Sequence, residues 1–215
     1  MTDAKKILVL FSTLFGIVFF AMLLSFIPGD DISFTNLPEI GGSDIPTLNK
    51  NNPTYGSDEP KVLIYHFGDF SNQASAGIAQ SLMKIADEND AVTIAWKDFP
   101  NISLDPESMN AAVAARCAQK QDSFWEFHDY LYLYSDALNE ELYSDIASEL
   151  GLWQWSFDRC LSKEKTMDWV LDDMQEAQDI SITAAPTIFI NGEQYIGLLS
   201  ESDLRSIINS ALLTQ

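Results

Sequence analysis

The sequence predicts an α/β fold that opens with a βαβ unit and closes with a ββα unit. The opening unit is indicated by an apolar run over residues 62–67, a helical apolar pattern over 75–89 and a second apolar run over 92–96. A right-handed crossover is expected between the two parallel strands. The closing unit is indicated by strand patterns over 187–190 and 193–196, separated by an Asn-Gly pair typical of a tight hairpin turn.

Helical patterns fill the interval between the two units and end the chain. The predicted helices are 108–120, 124–134, 140–150, 156–162, 166–179 and 201–213. Gly151 follows the third of these, where a left-handed C′ residue is common. Ser200 and Asp203 have the spacing of a capping signal at the start of the last helix.

Composition limits the classes of function. A chain of 215 residues that is 47% hydrophobic is long enough for one core of ordinary size plus appendages. Its 32 acidic residues against 12 Lys and Arg give a formal charge of −20. Because phosphate binding needs a basic face, we expect no nucleic-acid partner, and the acidic residues are expected to form a solvated surface.

The first 28 residues have the pattern of a single-pass membrane anchor. Lys5 and Lys6 precede an uncharged stretch from Ile7 to Pro28, which as a helix is long enough to cross a bilayer core of about 30 Å. No small-x-small cleavage site follows, so an uncleaved anchor is favoured over a removed signal peptide. The lysines place the N-terminus in the cytoplasm by the positive-inside rule. The rest of the chain is then expected outside the cytoplasm, on the periplasmic or cell-surface side.

Residues 29–60 are predicted to be a flexible extracytoplasmic linker. Five of the eight prolines lie between Pro28 and Pro60, and no strand or helix period is sustained there. The folded domain is predicted over 61–213, with a helical insertion at about 101–180.

The segment from Val62 to Gln80 reads as a strand that turns into a helix, a place where chemistry commonly lies in α/β folds. The turn itself reads Phe-Gly-Asp-Phe-Ser over 67–71 and Asn-Gln-Ala-Ser over 72–75. A second distinctive stretch, Ala-Ala-Pro-Thr-Ile-Phe-Ile-Asn-Gly, covers 184–192. These motifs resemble, in the same order, the DsbA-like branch of the thioredoxin superfamily. Four further stretches, 96–100, 114–118, 124–129 and 157–161, look like the family's helical region, and the resemblance covers roughly residues 58–213.

The resemblance implies a thioredoxin-like fold with an inserted helical subdomain, and the N-terminal pattern adds a transmembrane helix before it. It also implies a Cys-x-x-Cys motif at 72–75, but this chain has Asn72, Gln73, Ala74 and Ser75 there. Exchange of disulfides needs a thiolate and a second, resolving thiol, and neither an amide nor a serine hydroxyl supplies one. Asn72 is instead expected to cap the helix. The sequence therefore predicts an intact turn that has lost its redox step.

A proline that is cis in the family corresponds to Pro186, and the loop before it binds extended polypeptide by strand-like addition in relatives. The resemblance therefore implies a binding groove between residues 69–76 and 183–187. Its predicted binding residues are Asp69, Phe70, Asn72, Ser75, Ala185, Pro186 and Thr187.

Three readings of function follow. The first is a redox-inactive protein that binds extended polypeptide, or a membrane or envelope protein, through this groove. The second is a thiol-disulfide oxidoreductase or folding factor of the family, which would need thiols from elsewhere. The third is a structural subunit of an envelope complex that makes contact through its helical block. No cofactor is implied by any of them.

The two histidines, His66 and His128, are expected to be structural. His66 lies where the resemblance places an acid, and we expect it half-buried beneath the turn. Neither histidine sits in a motif that would bring a base to Ser75, so an activated serine is not expected. Two histidines and two separated cysteines have no metal-binding spacing, so no metal site is predicted.

Cys117 and Cys160 are the two cysteines of the chain, and both fall on predicted helices outside the turn. An extracytoplasmic location favours a disulfide between them, and some family members pair cysteines in this region. The alternative is two free buried cysteines that pack as small apolar side chains.

Overall fold

Five strands form one sheet in the order β1-β3-β2-β4-β5 in a computed structural model that describes residues 44–162 and 164–213. The strands are β1 (Thr54–Gly56), β2 (Val62–Gly68), β3 (Val92–Asp98), β4 (Thr187–Ile190) and β5 (Glu193–Ile196). β2 pairs with β3 in parallel and with β4 in antiparallel, so β2 lies at the centre. Every residue of β3 is buried, as expected for a strand with helices on both faces.

Seven α-helices lie in the described part of the chain. They are α1 (Gln73–Asp87), α2 (Glu107–Gln119), α3 (Phe124–Leu133), α4 (Glu140–Glu149), α5 (Gln154–Leu161), α6 (Glu164–Asp179) and α7 (Glu201–Leu213). Side chains of α1 and α7 such as Ile78, Leu82 and Leu204 pack with Ile64 and Ile188 of the sheet. A second apolar cluster joins α2 to α5 with Trp96 of β3. The βαβ opening, the ββα closing and the helical block between them are confirmed.

Local turn residues also agree with the sequence reading. Asn191 and Gly192 both have positive φ, 48° and 92°, as a type I′ hairpin turn requires. Gly151, with φ of 69°, ends α4 in the left-handed region.

The predicted flexible linker needs correction over residues 44–60, because this stretch packs on the domain and contains β1. Thr54 pairs with Ala95 of β3, and Trp96 donates its backbone N–H to the Pro53 carbonyl at 2.9 Å. The indole Nε1 of Trp125 donates to the Thr54 carbonyl at 2.8 Å. A three-residue strand is too short to show a period in the sequence, so the pattern did not indicate it.

A buried ionic network holds the same stretch to the helices. The Arg116 guanidinium contacts Asp98 at 2.6 Å and Asp173 at 2.5 Å, and all three side chains are nearly inaccessible to solvent. Asn52 donates to the Asp173 carboxylate at 3.0 Å, and Arg116 also donates to the Asn51 carbonyl. A buried charge is tolerated when it is paired and hydrogen-bonded in this way. The network therefore ties the segment before β1 to α2 and α6.

The predicted anchor over residues 1–28 and the linker up to residue 43 lie outside the described residues. Among the helices that the structure does describe, none combines the length and apolar character needed to cross a bilayer.

The predicted disulfide is present. Cys117 of α2 and Cys160 of α5 are joined, with Cα atoms 5.7 Å apart, and both side chains are buried. The bond closes a loop with a sequence separation of 43 residues and lies within the helical block.

Replacing both cysteines, Cys117→Ala with Cys160→Ala, is expected to destabilise the protein. The chain-entropy model gives about 4 kcal/mol for a loop of this size, because the unfolded chain regains that conformational freedom. For a domain of this length such a loss lowers Tm by roughly 8 to 16 °C, measured by calorimetry. Intact mass after alkylation should find no free thiol in the unreduced wild-type protein. Two readily alkylated thiols there would refute the pairing.

Candidate functional site

Asn72 is the N-cap of α1, at the turn that follows β2. Its backbone is extended, with φ of −105° and ψ of 112°. Its side-chain Oδ1 accepts hydrogen bonds from the backbone N–H groups of Ala74 at 2.9 Å and Ser75 at 3.1 Å. Two of the helix's otherwise unpaired N–H groups are satisfied in this way, so the predicted cap is confirmed.

The other end of the Asn72 side chain reaches a distant segment. Its Nδ2 donates to the backbone carbonyl of Ala185 at 3.1 Å, across a sequence separation of 113 residues. The Ala185–Pro186 peptide bond is cis, as the resemblance implied. Residues 183–187, here called the proline loop, therefore meet the α1 turn, residues 69–75, as predicted. The sheet brings them together because β2 and β4 are neighbours, with Phe67 opposite Thr187.

Asp69 and Phe70 were predicted to contact a ligand, but both point inward. Asp69 is 3% exposed, and its carboxylate accepts bonds from the Ser71 N–H at 2.9 Å, the Ser108 hydroxyl at 2.6 Å and the Asn101 N–H at 3.0 Å. Phe70 stacks on Trp96 with ring centroids 4.9 Å apart. These two side chains hold the turn in shape, and their burial was not evident from the motif, since a motif identifies residues without giving the direction of their side chains.

Ser75 and Thr187 are also fully buried. The Ser75 hydroxyl oxygen accepts the Asp69 backbone N–H at 3.3 Å, and the Thr187 hydroxyl donates to the Ala184 carbonyl at 2.7 Å. Neither hydroxyl is presented to solvent. By contrast, Gln73 is exposed and donates to the Ser135 hydroxyl at 3.0 Å, which joins the turn to the segment after α3.

An aromatic layer with two histidines lies behind the turn. His66 is 1% exposed, deeper than the half-buried position predicted, and its ring lies 5.1 Å edge-on from Trp96. His128 is equally buried, with its centroid 5.2 Å from Trp96 and its Nδ1 2.9 Å from the Asp129 carboxylate. The Nε2 atoms of both rings have no hydrogen-bond partner among the described residues. A structural role is therefore achieved with one ring nitrogen of each histidine unpaired among these residues.

Burial controls the charge of both histidines. Desolvation, with a smaller contribution from the nearby His128, lowers the pKa of His66 to about 3. Desolvation also lowers the pKa of His128, although the Asp129 carboxylate opposes the shift. Both rings are therefore neutral at neutral pH, and the layer behind the turn carries no charge from them.

Exposed apolar side chains lie on three segments that contact the turn or α1. We call them the apolar rim: Ile102, Leu104, Leu133, Tyr134, Ile196 and Leu198. Leu104, Leu133 and Leu198 are 83%, 70% and 67% exposed. Three contacts place the rim's segments at the turn: Asn101 to Asp69, Ser135 to Gln73, and Leu198 beside Gly77, where an added Cβ would lie 3.6 Å away. Sequence reasoning missed the rim because its residues lie in loops or at the ends of α3 and β5, where no periodic pattern marks them.

At the turn, the side-chain groups in the positions of the motif's two cysteines are the amide of Asn72 and the buried hydroxyl of Ser75. The cysteines of the described residues are both in the disulfide, and these residues include no group of three or more His, Cys, Asp or Glu side chains arranged to hold a metal ion.

The neutral state of His66 predicts a specific pH dependence of stability. An unfolded histidine has a pKa of about 6.5, so below that pH the unfolded chain binds a proton that folded His66 does not. Its contribution to stability is complete above pH 6.5 and is lost as the pH falls toward 3. Between pH 7.5 and pH 5 the free energy of unfolding of the wild type should fall by about 2 kcal/mol relative to His66→Leu, measured by urea unfolding. Parallel pH profiles for the two proteins would contradict this account.

Comparisons with known proteins agree with this geometry. The family described as thioredoxin (Thioredoxin_4) matches residues 48–210. A "Probable disulfide bond formation protein D" of Bacillus anthracis is 28% identical over 150 residues, covering 64% of this chain and 68% of that protein. "Na(+)/H(+) antiporter NhaA 3" of Salinispora tropica is 26% identical over 156 residues, covering 73% of this chain but 24% of the antiporter. The chain thus spans about a quarter of the length of such antiporter relatives.

Two solved structures show the same fold. Oxidised BdbD from Bacillus subtilis has a TM-score of 0.69 at 24% identity, covering 79% of this chain and 97% of that chain. The thiol-disulfide exchange protein alpha-DsbA2 from Wolbachia pipientis has a TM-score of 0.68 at 17% identity, covering 75% and 88%. The family match spans most of the domain, and the chain therefore belongs to the thioredoxin family, as a relative of the DsbA-like thiol-disulfide oxidoreductases.

Proposed function

We propose that this chain is a redox-inactive DsbA-like protein that binds extended, apolar polypeptide at the α1 turn and the proline loop. The observation that carries the proposal is the turn itself, in which Asn72 and Ser75 make structural hydrogen bonds where relatives would carry thiols. The fold of the site is kept without a group that can attack a disulfide.

The remaining cysteines do not replace the missing pair. Cys117 and Cys160 are buried in α2 and α5, within the apolar cluster of the helical block. A reactive cysteine needs an accessible thiolate, whereas these two are buried and joined to each other. The disulfide is therefore assigned to stability.

The apolar rim supports polypeptide as the ligand. Exposed leucines on three segments that contact the turn or α1 would bury apolar surface against the side chains of a bound chain. The proline loop supplies backbone groups for strand-like pairing with an extended segment. The formal charge of −20 disfavours an acidic segment.

We further propose that the chain is held at a membrane by its N-terminal segment, with the domain outside the cytoplasm. The uncharged stretch from Ile7 to Pro28, preceded by Lys5 and Lys6, supports this placement. A membrane protein is accordingly a second candidate partner. The similarity to part of the relatives named as Na(+)/H(+) antiporters supports this candidate.

Binding is tested with a fluorescently labelled, cysteine-free apolar decapeptide and the full chain. Leu133→Ser removes a rim side chain and should weaken binding about tenfold, because burial of a leucine is worth roughly 1.5 to 3 kcal/mol. Leu213→Ser is the matched control, since Leu213 is 87% exposed and lies at the end of α7. Equal effects of the two substitutions on the anisotropy titration would contradict a groove at the α1 turn.

The proposed absence of redox activity is tested by introducing cysteines at positions 72 and 75. The unmodified protein should show no activity in an insulin-reduction assay, and Asn72→Cys with Ser75→Cys should form a disulfide at the helix N-terminus. The first new thiol should have a pKa below about 8.5, since the helix dipole stabilises its thiolate. Insulin reduction by the native chain that persists after replacing both Cys117 and Cys160 would overturn the redox-inactive assignment.

A further inference from the structure

The Asn72 side chain is held at both ends. Its Oδ1 accepts two backbone N–H groups of α1, and its Nδ2 donates to the Ala185 carbonyl. This orientation of the amide is fixed by chemistry, because the helix end offers only donors and the carbonyl is only an acceptor. The side chain therefore joins the two halves of the site directly.

Capping alone does not require asparagine at this position. Serine and aspartate cap helices about as well, since each provides a side-chain oxygen for the free N–H groups. Neither can make the second contact, because aspartate has no donor when ionised and serine is shorter. The bond to Ala185 is what distinguishes Asn72 from an ordinary cap.

The Ala185 carbonyl is one of three consecutive carbonyls in the proline loop that already accept an internal bond. The Ala184 carbonyl is bonded to the Thr187 hydroxyl at 2.7 Å, and the Pro186 carbonyl to the Gly197 N–H at 2.8 Å. Thr187 is fully buried, and Gly197 donates from its backbone. Of the two side-chain donors, Thr187 is fully buried and Asn72 is half-buried, so the Asn72 amide is the one with access to solvent when it turns away from the loop.

We propose that Asn72 is an internal competitor of the polypeptide, in which its amide occupies the Ala185 carbonyl that a strand-like ligand would use. This inference rests on the proposed function of the site. A ligand N–H that approaches the Ala185 carbonyl competes with the Nδ2 donor already bonded there, so part of the gain in backbone pairing is offset. Asn72 thereby gives the groove a lower affinity for polypeptide than a residue that only caps the helix would.

The test compares Asn72→Ser with the wild type, using the full chain and the labelled cysteine-free decapeptide. Asn72→Ser keeps the cap and removes the bond to Ala185, so we expect affinity to rise about threefold to tenfold, the equivalent of one net hydrogen bond. Without peptide, backbone hydrogen–deuterium exchange over 183–187 should become faster in the variant. Asn72→Asp should behave in the same direction, since its carboxylate caps but cannot donate.

Asn139→Ser is the matched control. Asn139 caps α4 in the same manner, accepting from the Leu142 N–H at 3.0 Å and donating to the Ala137 carbonyl at 2.8 Å. Its substitution should change neither the affinity nor exchange in the proline loop.

The outcomes separate the two proposals. If the wild type binds the peptide and Asn72→Ser binds it equally or more weakly, the competition is overturned while the polypeptide-binding function stands. Unchanged exchange over 183–187 in Asn72→Ser also overturns it, because the bond would then not restrain the loop. Absence of binding by the wild type and both variants overturns the proposed function and the competition together.

Discussion

The contact between the α1 turn and the proline loop depends on the sheet that carries them. β2 ends in the turn and β4 begins in the loop, and the two strands are hydrogen-bonded neighbours, so segments 113 residues apart meet at one edge. The Asn72 amide then closes the remaining distance with bonds at both of its ends. Its cap and its bond to the loop are each worth about 1 kcal/mol, too little to create the site. The sheet positions the site, and Asn72 adjusts it.

The two histidines of the layer behind the turn are neutral because they are buried. His66 contacts the Trp96 ring at a position where water is excluded, and this burial keeps both histidines uncharged. The buried ion pairs of Lys97 and Arg116 with Asp173 join β3 and α2 to α6. Their network meets the aromatic layer at Asp98, which pairs with Arg116 and accepts the Trp96 indole N–H at 2.6 Å. The ionic network therefore supports the layer behind the turn.

Local sequence patterns predicted the features that depend on neighbouring residues in the chain. The Asn191-Gly192 hairpin, the Asn72 cap and the order of strands and helices all follow from signals within a few residues of each element. Non-local partners carry no such signal: β1 is three residues long and exists because β3 pairs with it. The inward direction of Asp69 likewise depends on Ser108 and Asn101, which are distant in sequence. Motif residues therefore identified the turn correctly but not which of its side chains face solvent.

The central claim is that a thiol-free turn and its proline loop form a polypeptide-binding groove. It is tested most directly by titrating the isotope-labelled protein with the cysteine-free apolar decapeptide and following backbone amide chemical shifts. We predict that the largest changes fall in residues 72–75, in 183–187 and in the apolar rim. Changes confined to the helical block around the exposed Trp153 and Trp155 would contradict the account and place the contact surface there instead.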